Sequence, residues 1–193
     1  LKPIMANKLI DDARKALASN DDNAAFKNLE AAYRTVPSDT LQLYNAAIIA
    51  TQGKFFNSAI ELLKELIDLG FTGISTNYTA SIIDTDEITR FQTKKMRDES
   101  VKTGLYENPI DEEIESVESS IYRTLANIYK DLEDFEKALS YITIANEVSP
   151  NDINIILDKA DIYWNLNMRE EYEELIKIAL VINPNDDGLL CNL

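Results

Sequence analysis

SIYRTLANIYKDLEDFEKALSYITIANEVSP, residues 120–150, decides the fold. Tyr122, Leu125, Ala126 and Tyr129 fall at i, i+3, i+4 and i+7, which puts them on one face of an α-helix. After the polar break Leu132-Glu133-Asp134, a second stripe follows in Phe135, Ala138, Ile142 and Ala145. Pro150 then stops it, because proline has no N–H to donate and clashes with the preceding turn. Ala126 and Ala138 set small side chains opposite each other, so the two backbones can approach closely. The stretch predicts a hairpin of two amphipathic helices.

The same arrangement returns after 34 residues, pairing Ala126 with Ala160, Tyr129 with Tyr163, Ile142 with Ile176, Ala145 with Ala179 and Pro150 with Pro184. Nearer the N-terminus, Leu9 and Leu43, Ala13 and Ala47, Ala16 and Ala50, Ala25 and Ala59, and Leu29 and Leu63 keep that spacing. Such a period is the mark of stacked units, none of which buries its apolar face alone. The order of large residue, Leu, small residue, Tyr, Ala, aromatic, Ala and Pro resembles the tetratricopeptide repeat (TPR). The resemblance implies an all-α solenoid of helix pairs, with units at 6–39, 40–70, 119–152 and 153–186 and a truncated fifth beginning at 187–193. Ser38-Asp39 and Asn151-Asp152 are expected to cap the helices that follow them. Unit four departs from the pattern with Lys159 in place of Leu and Tyr172 in place of Ala, so its hairpin is expected to be splayed or capped differently. Unit one has Asp12 at the Leu place, and unit two ends on Gly70, a helix stop.

Between units two and three the phase slips: Ala59 and Ala138 stand 79 residues apart, 45 more than one repeat. The chain therefore divides into units one and two at 1–70, an insertion at 71–118, and units three and four at 119–186. Inside the insertion the Thr, Ile, Tyr and Phe content predicts a β-hairpin, with strands Asn77–Ile83 and Glu87–Gln92 about an Asp84-Thr85-Asp86 turn. The rival reading is one helix from Asp84 to Thr103, since Ile88 and Phe91 can share a face. KKMRDESVKT, residues 94–103, reads as a short helix ended by Gly104 and is the one basic patch. Residues 107–111 read as a loop, and Asp111-Glu112-Glu113 as the acidic first turn of a helix. The stretch is similar to hairpin insertions in some bacterial TPR proteins.

Composition narrows the function. The 193 residues are 45% apolar, and 34 acidic against 19 basic side chains leave a formal charge of −15. That charge repels phosphate backbones and anionic headgroups, so neither nucleic acid nor a membrane is expected as a partner. With no histidine, the usual general base, the Ser-His and Cys-His pairs and the commonest zinc ligand are gone. Cys191 is alone, so it forms neither an internal disulfide nor a thiolate cluster. Glu112 and Glu113, as neighbours on a helix, do not face one another and make a poor acid pair. The run Asn183, Asn185, Asp187, Gly188 lacks the closing Glu of a calcium loop. No enzyme activity, cofactor or metal is expected. No stretch reaches the roughly 20 apolar residues of a membrane span. The start at Leu1 without a signal peptide reads as a processed or excised piece, and an extra-cytoplasmic place is the expectation, with the cytoplasm as the alternative.

The TPR resemblance implies a protein or peptide held on the groove formed by the first helix of each unit. Its groove places carry Asn7, Ile10, Arg14, Leu17 and Ala18, then Leu41, Tyr44, Ile48, Thr51 and Gln52. They continue as Ser120, Arg123, Asn127, Lys130 and Asp131, and as Asn154, Leu157, Asp161, Trp164 and Asn165. Tyr44, Ile48, Arg123, Asn127, Lys130, Leu157, Asp161 and Trp164 are the residues expected to meet the partner. Arg123 with Asn127 resembles the start of a carboxylate clamp, yet Asp158 stands where the clamp has Asn and Gly188 where it has Lys. Trp164 is either a binding anchor or packing under the following repeat. The runner-up function is self-association through the ends of the array or the edge of the hairpin.

Overall fold

A computed structural model describes residues 2–73, 76–85, 87–91, 93–113 and 116–184. The expected fifth repeat, with Gly188 and Cys191, lies outside the described residues. In chain order the helices are α1 (Lys2–Ala18), α2 (Asp22–Thr35), α3 (Thr40–Gln52), α4 (Phe56–Asp68), α5 (Lys94–Lys102), α6 (Glu118–Asp131), α7 (Phe135–Val148), α8 (Ile153–Asn165) and α9 (Arg169–Ile182). Three strands, β1 (Thr76–Ile82), β2 (Ile88–Phe91) and β3 (Tyr106–Glu113), complete the elements. They divide into two compact units, Leu1–Phe71 with Glu118–Leu193, and Thr72–Val117.

The helical unit is built from four pairs, α1 on α2, α3 on α4, α6 on α7 and α8 on α9, and each pair packs on the next. One turn repeats in all four. Asn20, Lys54, Glu133 and Asn167 hold left-handed φ values of 57°, 59°, 60° and 59°. The residue after each donates its N–H five positions back, Asp21 to Ala16, Phe55 to Ala50, Asp134 to Tyr129 and Met168 to Tyr163, at 2.8–2.9 Å. This closure satisfies carbonyls left open at the end of the first helix. It places non-glycine residues in a conformation that costs roughly 1–2 kcal/mol each, a cost the packed pair offsets. Gly70, at φ 64°, makes the same turn after α4 without that cost.

Capping separates the pairs. Asp21 and Asp134 start α2 and α7, their carboxylates accepting the N–H of Ala24 at 2.9 Å and of Lys137 at 3.2 Å. The equivalent Phe55 and Met168 offer no side-chain acceptor to α4 and α9. Unit four is thus capped differently from unit three, through Met168 in place of Asp134 and not through the Lys159 or Tyr172 departures. Asp152 caps α8 by accepting the Asn154 N–H at 2.9 Å. Asp39 corrects the expectation for α3: it stands at the cap, but its carboxylate takes the Gln42 side-chain amide at 3.2 Å and no backbone N–H.

Leu43, Leu63, Leu66, Ile121, Leu125, Ile128, Ile142, Ile155, Ile156 and Ile162 are fully buried in the seams between helices. Each contributes roughly 1.5–3 kcal/mol of transfer free energy. Ala13, Ala25, Ala47, Ala59, Ala126, Ala138, Ala160 and Ala179, the small positions of the repeat, are buried as well. Lys159, standing where Leu is usual, keeps its ammonium 5.8 Å from the Tyr163 ring, and burial pushes its pKa down against the raising effect of Glu147.

The second unit is a three-stranded antiparallel sheet in the order β2-β1-β3. The expected hairpin is present, with Tyr78 opposite Phe91 and Ser81 opposite Ile88, and Asp84 turns at φ 61°. The rival helix over 84–103 is excluded by β2; among the described residues there only α5 is helical, capped by Thr93 accepting the Met96 N–H at 3.2 Å. Residues 107–111 are not a loop, and 111–113 do not open a helix. Both belong to β3, which pairs with β1 from Thr76↔Glu113 to Ile82↔Tyr106. Two strands alone are marginal, and β3 fills the second edge of β1. Pro109 is compatible with an edge strand, and the register shift between Thr79 and Ser81 absorbs Asn108 at φ 49°. The basic patch is largely spent inside this unit. Arg97 is 4% exposed, donates to Asp98 at 2.8 and 3.0 Å, to the Ile110 carbonyl at 2.9 Å and to Asp111, and stacks on Tyr78. Lys94 also holds Asp111, at 2.7 Å, and the hydrogen bonds from Lys94 and then Arg97 lower that carboxyl's pKa. The Val117 N–H donates to the Thr72 carbonyl at 2.8 Å, so the unit's two ends close on each other.

Candidate functional site

The first helices of units one and two form one open groove. From α1 come Ile10, Arg14 and Leu17, and from α3 come Leu41, Tyr44 and Ile48, each set spaced about one turn apart and so on one face. Ala13, Leu29 and Ile49 line the same space, which measures about 550 Å³. The Tyr44 ring lies 5.7 Å from Phe71, and burial pushes its hydroxyl pKa up. Arg14 is exposed and paired with Asp11 at 2.9 Å. Of the expected contact residues, Tyr44 and Ile48 meet here.

The corresponding faces of units three and four carry paired charges. Arg123 Nε donates to Asp158 Oδ2 at 2.5 Å, and Asn127 Nδ2 donates to the same oxygen at 3.2 Å. Lys130 Nζ donates to Asp161 Oδ2 at 2.8 Å. The amide oxygen of Asn127 is buried with no hydrogen-bond partner among the described residues. Leu157 packs against the cluster of Ile156, Ala160, Ile176 and Ala179 between α8 and α9. Trp164 is 53% exposed; its ring sits 5.2 Å from Tyr172, with the Arg169 guanidinium 5.7 Å away. The bulky Tyr172 at an alanine position is what supports it, from its own repeat.

The sequence reading missed Asp158 as an acceptor, although a signal was present. Asn127 and Asp158, Lys130 and Asp161, and also Arg34 and Glu65 are each 31 residues apart. In a 34-residue repeat that offset is one unit forward and nearly one turn back, so it joins helices of the same kind in adjacent units. Among the described residues no group of His, Cys, Asp or Glu could hold a metal ion, and no helix is long and apolar enough to cross a membrane.

No family model matches the chain, and no curated protein matches it. Solved structures do. A tetratricopeptide repeat protein from Parabacteroides merdae superposes with a TM-score of 0.64 at 15% identity, over 96% of this chain and 56% of that one. The fold is that of the tetratricopeptide repeat. A MamA chain from Desulfovibrio magneticus RS-1, running from residue 41 to the end, has a similar fold with a TM-score of 0.62 at 11% identity, over 96% of this chain and 79% of that one. A chain of the APC/C hetero-tetramer Cut9-Hcn1 gives 0.57 at 14% identity, over 97% of this chain and 29% of its own length. The chain thus spans just over half the length of the Parabacteroides protein.

Proposed function

We propose that this chain is a non-enzymatic scaffold that holds a protein or peptide partner on its first-helix surface. The carrying observation is the open groove lined by exposed Leu17 and Leu41 and half-buried Ile10, Tyr44 and Ile48, in a protein of net charge −15. Units one to four act as a single array, interrupted in sequence by the insertion at residues 71–118. One neighbour of the same fold is part of a hetero-tetramer, in keeping with an assembly role. The acidic balance favours neutral or basic polypeptides over nucleic acid and anionic membranes.

Partner capture by wild type, Tyr44→Ala and Arg123→Ala, compared side by side from the source cell's lysate, tests this. A partner retained by wild type and by Arg123→Ala but lost with Tyr44→Ala supports the groove. A partner that all three retain moves the contact elsewhere, and no specific partner at all removes the scaffold reading.

A further inference from the structure

We infer that Lys159 is a selectively reactive amine, the place on this chain where a small acyl donor of the acyl phosphate class forms an amide. The repeat supplies the geometry. In α6 the stripe Ile121, Leu125 and Ile128 is fully buried. One repeat later, α8 carries Ile155, Lys159 and Ile162 at the same spacing, and both isoleucines are fully buried. A lysine thus occupies the middle of a core stripe, about one helical turn from a buried isoleucine on either side.

The four-carbon stem suits that place, and the ammonium does not. Lys159 is half-buried, with its Nζ 5.8 Å from the Tyr163 ring. Arg123 and Lys130, the cations of neighbouring α6, each hold a carboxylate at hydrogen-bond distance, whereas among the described residues Lys159 holds none. Glu147 of α7 favours the ammonium only through its field, and Glu171 and Glu174 of α9 act on Tyr163 instead. Loss of water outweighs Glu147, so the Lys159 pKa falls below its ordinary 10.5. More of this amine is therefore neutral at a given pH, and the neutral amine is the nucleophile.

Its lone pair attacks the acyl carbonyl carbon. An N–C bond forms, the bond from that carbon to the phosphate oxygen breaks, phosphate leaves with the electron pair, and the proton on nitrogen passes to water. The amide carries no charge, so the reaction removes a cation from a position that the preceding unit fills with Leu125. The chain is the acceptor of the group and not a catalyst, and this holds whether or not the groove takes a partner.

Treatment of the whole chain with limiting acetyl phosphate at about pH 8, with the acetyl groups mapped by peptide mass spectrometry, tests the inference. Lys159 should be acetylated about threefold or more faster than the exposed Lys8, Lys54 and Lys177. The preference should vanish in denaturing urea. Glu147→Gln replaces an exposed side chain and removes the field that favours the ammonium, so it should raise the Lys159 rate by about twofold and leave Lys8 and Lys54 unmoved. A Lys159 rate no greater than that of the exposed lysines overturns the inference. So does a preference that persists in urea, which would place its origin in the local sequence. A rate that Glu147→Gln leaves unchanged also overturns it, because exposure and not desolvation would then be the source.

Discussion

The N-terminal helices α1–α4 and the C-terminal helices α6–α9 share one backbone plan and distribute polarity in opposite ways. In the N-terminal set the first-helix row is apolar, with Ile10, Leu17, Leu41, Tyr44 and Ile48, while the second helices are tied by Arg34 Nη2 to Glu65 at 2.6 Å. In the C-terminal set the first helices are tied, by Arg123 to Asp158 and Lys130 to Asp161, and the second helices expose Ile144, Val148, Ile178 and Ile182. The repeat dictates which positions are buried, and these are alike in both sets. It leaves the outward rows free, and a row whose charges are spent on its neighbour has fewer groups left for a partner. The expected contact residues therefore divide: Tyr44 and Ile48 line open space, whereas Arg123, Asn127, Lys130 and Asp161 serve the array itself.

The largest effects should erase the difference between the sets, because their cores are alike. Leu63→Ala and Leu125→Ala each remove a fully buried side chain, one in each set, at a cost of about 2–5 kcal/mol. Trp164 is the sole tryptophan and reports on the C-terminal set. Urea unfolding followed by its fluorescence and by far-UV circular dichroism should shift together in both variants, as one cooperative array requires. If Leu63→Ala leaves the fluorescence transition in place while the dichroism splits, the two sets fold separately.

A smaller effect should separate the sets. Asp158→Ala strips the acceptor from Arg123 and Asn127 and should cost about 1–2 kcal/mol, discounted because the Arg123 side chain is 35% exposed. Lowered urea midpoints are expected for this variant, and a change below about 0.3 kcal/mol would mean the C-terminal lock contributes nothing.

The smallest effect concerns the N-terminal bridge. Glu65→Gln should cost a few tenths of a kcal/mol, since both partners are partly solvated. The hydrogen bond from Arg34 lowers the Glu65 pKa below its ordinary 4.5. The folded value lies below the unfolded one, so this contribution is fully present above pH 4.5 and is lost as pH falls through the lowered value. Wild type and variant should converge in stability on acidification from pH 5 downward, and a constant gap would exclude this bridge as its source.

Much of the fold was legible because helical stripes and a 34-residue period are long, redundant signals. The same reading lost β3, where Asn108 and Pro109 look like a loop and only the vacant edge of β1 makes them a strand. It also could not foresee the left-handed turns at Lys54 and Glu133, residue types that do not favour that conformation and adopt it because the helix pair demands it. In the candidate site, the side chains facing outward were identifiable from repeat position. Which of them were already taken was not, since a partner 31 residues away becomes a neighbour only when the units stack.

The sequence by itself determined the helix pairs, the alanine contacts between them, the break after Gly70 and the absence of histidine chemistry, all of which follow from local periodicity and composition. Only the tertiary structure decided that Arg97 is buried in a charge network, that Asp158 holds Arg123 and Asn127, and that the uncovered apolar space lies between α1 and α3. The reason is physical: a stripe reports which face of a helix avoids water, whereas an ion pair or a groove depends on the distance between faces that only packing sets.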